Sequence, residues 1–244
     1  MSSFAPRFAI LIAVLTLVGC GASLPRQAFN AEANAQIKRI DVLSMNESTV
    51  KTFVLNNPAY SFGLIGFALA ETNRAARSSA LRSSLQAVDF DHTAVFAAEL
   101  RQALEAKGYE VSLPQTLFEG PASKIKRDRF GLREDYPQNE DADALLDLSL
   151  GFIGYRAAGV GDDSPYRPAL VLTARLVDAR SGKVLFTDEF LYGSPGGNQL
   201  GVVIEPDSRF AYPQFSDLEE AGAASAEGLG LAIEATLARM AQAL

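Results

Sequence analysis

Apolar and polar positions along the chain fall into three patterns, and each predicts a different element. The first is strand-like. Residues 37–43 alternate around Ile40 and Val42, and residues 49–55 are crowded with β-formers, so two strands are predicted, joined by a polar turn at 44–48. A third strand is expected over 144–157, which opens with Leu145, Leu146, Leu148 and Leu150. Two more, over 167–179 and 183–192, flank Arg180, Ser181 and Gly182 and form the clearest hairpin in the chain.

The second pattern has helical spacing. Val95, Phe96, Leu100, Ala103 and Leu104 recur at three- and four-residue intervals, Asp91 stands where an N-cap belongs, and Gly108 stands where a left-handed helix end wants glycine. A strand over 109–113 follows. Leu229, Ile233, Leu237 and Met240 repeat the same spacing in an Ala-rich end, which predicts a final amphipathic helix over 217–244. Between these elements, residues 114–141 are charged and punctuated by Pro121, Gly131 and Pro137, and read as a surface excursion. Residues 193–215 are rich in Gly and Pro and read as loop. The order of elements predicts one α/β sandwich, a mixed sheet of about five to six strands packed by amphipathic helices.

The third pattern is a nearly continuous apolar run, and it occurs twice. Residues 8–18 are apolar but for Thr16, follow a start with the single charge Arg7, and end at Gly19 and Cys20. That is a signal-peptide layout, too short for the roughly 20 helical residues that a bilayer core of about 30 Å requires. Leu17, Val18, Gly19 and Cys20 resemble the lipobox of bacterial lipoproteins, in which the Cys sulfur receives a diacylglycerol and the bond before it is cut. Residues 1–19 are thus expected to be a leader, 20–36 a lipidated tether and 37–244 a single domain. In the Gram-negative family an Asp after the Cys marks inner-membrane retention; Gly21 stands there instead, which by that resemblance implies the outer membrane, facing the periplasm. Cys20 is the only cysteine, so the fold has no disulfide.

The second run, 60–70, is almost wholly apolar. Asn57 and Pro58 predict a helix start just before it, as cap and first helical residue. Gly63 and Gly66 allow another surface to approach closely. The run reads first as a buried core helix with glycines at a tight crossing; the alternative is that Phe62, Gly63, Leu64, Gly66 and Phe67 form an interface with the membrane or a partner subunit.

Composition narrows the partners. Without the leader's Arg7, 21 basic residues face 29 acidic ones, a net charge of −8, which argues against nucleic acid and against broad adhesion to anionic lipid. With 48% hydrophobic residues the chain is globular rather than disordered.

Three segments together resemble a known domain: the helix ending in Leu104, Gly108, Tyr109, Glu110 and Val111; the strand lead Ala142, Asp143, Ala144 and Leu145; and the hairpin ARLVDARSGKV over 174–184. They are similar to the α/β domain shared by the curli secretion channel lipoprotein and the amino-terminal domain of the Tol-Pal system's periplasmic propeller protein. The resemblance implies a possible homo-oligomer, whose members in the curli channel contribute paired transmembrane strands. Such strands alternate over about 9 to 11 residues. Residues 60–70 do not alternate, and the stretch after Pro114 is too charged.

Candidate chemistry adds little. His92, the only histidine, lacks companions for a zinc site and reads as a capping or surface residue. Glu140, Asp141, Asp143 and Asp147 lack the Gly and closing Glu of a calcium loop and read as a solvated lead into a strand. Lys124, Lys126, Arg127 and Arg129 form a basic patch diluted by Asp128, Glu134 and Asp135, read as a solvated loop. GSPGG at 193–197 is followed by no Lys-Ser or Lys-Thr, and no Gly-x-Ser-x-Gly or His-Glu-x-x-His appears. The expectation is a non-enzymatic, membrane-anchored envelope lipoprotein that binds an envelope protein as an accessory or assembly factor, needs no cofactor, and is held by acylated Cys20. A secretion-channel subunit and a small-molecule binder or hydrolase are the alternatives.

Overall fold

The sheet is organised on one long strand, and every other strand takes its place from it. The structure, a computed structural model, describes residues 23–46, 48–120, 123–194 and 201–244; the leader and Cys20 lie outside them. The seven strands are β1 (Arg39–Val42), β2 (Lys51–Asn56), β3 (Glu110–Ser112), β4 (Ala144–Gly159), β5 (Arg167–Asp178), β6 (Val184–Tyr192) and β7 (Val202–Ile204). They form one mixed sheet in the order β3-β1-β4-β5-β6-β7, with β2 also paired to β4. β4 pairs antiparallel with β5, and β5 with β6, through the hairpin that the sequence predicts.

Along its other edge β4 carries two parallel partners end to end. β1 pairs with its start, Ile40 opposite Ala144, and β2 with its far half, from Lys51 opposite Gly154 to Asn56 opposite Gly159. The predicted link at 44–48 is therefore no turn back between paired strands. It carries the chain forward along the same edge, with Met45 buried and bridged to Phe118.

β4 is buried almost throughout because both of its faces are covered. A bulge at Gly151 shifts the register between Leu150 and Phe152, which switches the parity of the strand. Before it Ala144, Leu146, Leu148 and Leu150 join the main core; after it Ile153, Tyr155 and Ala157 do.

The helices lie against that core: α1 (Gly63–Ala87), α2 (His92–Ala106), α3 (Phe215–Glu220) and α4 (Ala223–Gln242). Asp91 caps α2 by accepting from the N–H groups of Thr93 and Ala94, and Gly108 has φ +89° beyond its end, as the spacing predicts. Leu229, Ile233, Leu237 and Met240 are all fully buried. The predicted final helix is two, broken at Gly222. β7 and its parallel pairing with β6 fall inside the stretch read as loop; three residues give too little alternation to detect.

The opposite face carries a smaller cluster of Leu43, Ala142, Leu145, Val177 and Ala179, with the 114–141 excursion folded over the sheet beside it. Among the described residues, no helix is long and apolar enough to cross a membrane.

The β2–β4 pairing depends on a missing side chain. At Gly154 φ is +147°, and a Cβ there would sit 1.8 Å from the Lys51 carbonyl oxygen. Gly154→Ala is expected to lower stability by about 3 kcal/mol or more, read as the urea midpoint. Gly151→Ala, whose Cβ would meet only the Val171 residue, at 3.5 Å from its side chain, is expected to cost about 1 kcal/mol or less.

Candidate interaction surface

The run at 60–70 becomes a surface through the way α1 is launched. Asn57 accepts from the Ala59 N–H and starts a short 3-10 turn over Pro58–Ser61, and Gly63 then opens α1 with φ +63°. Further along, Ser78 accepts from the Thr52 N–H at 3.0 Å and Arg82 donates to the Val50 carbonyl at 3.1 Å, so α1 runs antiparallel to β2. From Ser78 back to Gly63 is about 22 Å of helix at a rise of 1.5 Å. Thr52 to Asn56 covers only about 13 Å of strand. The first two turns of α1 consequently outrun the strand that supports the rest.

Those two turns are apolar nearly all round. Leu64 is 88% exposed, Ile65 85% and Phe62 76%, and Phe67 and Leu69 are more than half exposed. Gly66 and Ala70 are buried. Gly66 packs against the 3-10 turn so closely that a Cβ would meet the Ala59 carbonyl oxygen at 2.2 Å. Tyr60 packs on Phe67 with ring centroids 5.7 Å apart and donates its hydroxyl to Glu71 at 2.8 Å, and Arg74 holds the same carboxylate. The Arg74 guanidinium and then the Tyr60 hydroxyl hold the Glu71 carboxyl below its usual range, while burial and then Glu71 raise the Tyr60 phenol. This polar clasp fixes the projecting turns in place.

The buried-core reading of 60–70 is therefore overturned, because the supporting strand ends before the helix does. Of the candidate residues, Phe62, Leu64 and Phe67 are on the ridge, Gly66 is beneath it and Gly63 starts it. Ile65 and Leu69 belong with them. Leu55 and Val160, at the ends of β2 and β4, add exposed apolar surface at the same end of the sheet, which only the β2–β4 register brings there. Leaving a Leu, Ile or Phe side chain in water forgoes about 1.5–3 kcal/mol. Five such side chains, partly exposed, forgo an amount comparable to the roughly 5–15 kcal/mol that holds an ordinary domain together. Exposed apolar surface of this extent makes the ridge the candidate interaction surface of the domain.

The remaining candidates are occupied by the fold. Arg127 is not part of a solvated basic patch: it turns inward and donates to Glu119 at 2.8 Å, the Ser44 carbonyl at 3.0 Å and the Gly131 carbonyl at 2.9 Å. Arg133 joins it on Glu119 and Ser44. Lys124, Lys126 and Arg129 stay exposed. Asp147 is not solvated either, being wholly buried, with Oδ2 accepting from the Arg133 N–H at 2.6 Å and the Tyr136 hydroxyl at 3.0 Å, and Oδ1 3.7 Å from Arg127. Burial pushes its carboxyl up against these donors. At Glu119 burial also pushes up, but the Ser123 and Ser44 hydroxyls with Arg127 and Arg133 outweigh it and hold the carboxyl low. Together these groups pin the excursion to the sheet. The sequence hides them because their partners lie up to 89 residues apart.

His92 lines a cleft of about 370 Å³ with Arg82, Asp89 and Asp91, and its Nε2 lies 2.9 Å from the Ser48 carbonyl, to which it donates. Asp91 is spent on the cap of α2. Asp143 parts from Asp147 and accepts from the N–H groups of Lys38 and Arg39, both at 2.9 Å. Glu140 and Asp141 remain on the lead into β4, away from any shared site with Asp147.

The N–H groups of Arg39 and Lys38, above all, bring the Asp143 carboxyl down to about 2, against about 3.9 in an unfolded chain. Its contribution is full above the unfolded value and is lost as pH falls through about 4 toward 2. Asp143→Ala is expected to cost about 1–2 kcal/mol at pH 7, solvent screening included, with the gap to wild type closing in that window of a pH-resolved urea titration.

No known protein family matches the chain, and no curated protein does. Among solved structures it is similar to a dodecamer of a single-residue variant of PelC from Paraburkholderia phytofirmans, at 12% identity over 79% of this chain and 92% of that one. The TM-score is 0.22, at which the likeness carries no argument about fold, assembly or function.

Proposed function

We propose that this chain is a lipid-anchored envelope protein, exported by residues 1–19 and held by a diacylglycerol on Cys20 in the outer membrane, facing the periplasm. Its α/β domain works without catalysis, as an accessory or assembly factor. The observation that carries the reading is the ridge of Phe62, Leu64, Ile65, Phe67 and Leu69, a contact surface that the domain's own core leaves unused. The ionic cluster of Glu119, Arg127, Arg133 and Asp147 supports the same reading, since its groups are engaged with one another and serve to fix the excursion.

The reading as a pore subunit draws no support from the two segments that would supply strands: residues 60–70 lie in the 3-10 turn and α1, joined at Phe62, and the described part of 114–141 folds back onto the sheet.

Expressed in a Gram-negative host, the full chain is expected to incorporate labelled palmitate and to fractionate with outer membranes, and Cys20→Ser to lose both properties. Equal labelling of the two, or release of the wild-type chain with soluble periplasmic proteins, would contradict the assignment.

A further inference from the structure

The direction of the chain before Gln27 says what the ridge meets. Gln27 bridges Thr187 in antiparallel sense, and Arg26 pairs with Asp188 at 2.7 Å. Followed backward from Gln27 to Arg26, the chain heads along β6 in the direction of Tyr192, and it leaves that edge before Phe190, where β7 takes it. Tyr192 lies toward the end of the sheet where β2 and β4 finish at Asn56 and Gly159, and past which α1 projects. At Arg26 the chain is thus heading toward the end of the sheet past which the ridge projects.

The distances are compatible with one plane. The stretch from Arg26 back to Cys20 reaches at most about 20 Å. Through Ala174, Asp188 is level with Leu148 of β4. From that level the tip of α1 lies about 40 Å along the strand direction, combining strand and helix rises. The ridge thus extends about 20 Å beyond the tether's reach. It also lies about four strand spacings to the side, roughly 19 Å, because Gln27 is on the outer edge of β6 while β2 is on the far edge of β4. A domain leaning toward its β6 edge brings Cys20 and the ridge to a single surface.

We propose that the ridge is seated in the headgroup layer of the bilayer that holds Cys20, so that the domain docks on its own membrane at a fixed tilt. This rests on the Cys20 reading above. The chemistry of the ridge suits a bilayer. Two helical turns are apolar nearly all round, as helices are when they are enclosed, and an all-round apolar surface can be enclosed by lipid without a complementary groove. With 21 basic residues against 29 acidic ones once Arg7 is removed, the mature chain's net charge of −8 gains nothing from an anionic surface as a whole, so the docking is apolar and independent of salt.

Because Cys20 is the only cysteine and its sulfur is alkylated in the anchored form, an introduced thiol takes a dye selectively. Leu64→Cys reports the ridge, and Ser181→Cys reports the hairpin at the opposite end of the sheet. Each full-length lipidated protein, carrying a polarity-sensitive dye, is reconstituted in phosphatidylcholine vesicles containing lipid with a spin label near the headgroup. Blue-shifted, quenched emission at position 64, unchanged by salt, with wet and unquenched emission at 181, is the expected result. Anchored protein whose dye is as wet at 64 as at 181 overturns the docking and leaves the anchor standing. Blue-shifted emission at 64 without quenching by the labelled lipid means that protein, such as a second copy, covers the ridge, and also overturns it. Failure of the wild-type chain to float with vesicles overturns the anchor reading and the docking together.

Discussion

The parallel pairing of β2 with the far half of β4 decides where everything at the ridge end of this molecule lies. β1 has already taken the first three residues of that edge, so β2 must continue along it, and the link through Met45 is stretched forward to allow this. The pairing closes only because position 154 has no side chain to collide with the Lys51 carbonyl. Once β2 is fixed, α1 must return antiparallel along it, and a 25-residue helix returning along a six-residue strand has more length than support. The surplus lies at the end rich in Leu, Ile and Phe.

The opposite half of the sheet solves a different problem. An excursion without regular structure must satisfy its backbone and side-chain polar groups while covering β4 and β5, and it does so with an ionic cluster beside the buried apolar side chains Leu117 and Leu132. Burying Asp147 is costly for the carboxylate, as its upward-shifted pKa shows, and the Arg133 N–H, the Tyr136 hydroxyl and two guanidinium groups offset that cost only in part. Such a cluster specifies one docked position for the loop more than it adds to stability, because removing any one partner strands the others. The domain therefore has a closed, ion-paired face at one end and an open apolar ridge at the other.

Most of the fold was legible in the sequence wherever periodicity and punctuation agree. Asp91 and Gly108 bracket α2, Arg180 to Gly182 turn the hairpin, and Leu229 to Met240 mark the buried stripe of α4. What was illegible depended on register and on long-range partners. An almost wholly apolar run gives the same local signal whether the strand beneath it is long or short, so 60–70 reads as core, and only the end of β2 at Asn56 leaves it exposed. Likewise nothing near Arg127 in sequence reveals that Ser44 and Glu119 will surround it. Leu55 and Val160 look like isolated surface residues until β2 and β4 are paired.

Attachment is the proposed business of this chain, through a lipid proposed for Cys20 and through the apolar ridge of the folded domain. The most direct test is intact and peptide mass spectrometry of the mature protein isolated from membranes. The predicted result is an N-terminal residue Cys20 whose mass includes a diacylglyceryl group. A chain that retains Met1, or one that begins at another residue with Cys20 unmodified or absent, would contradict it.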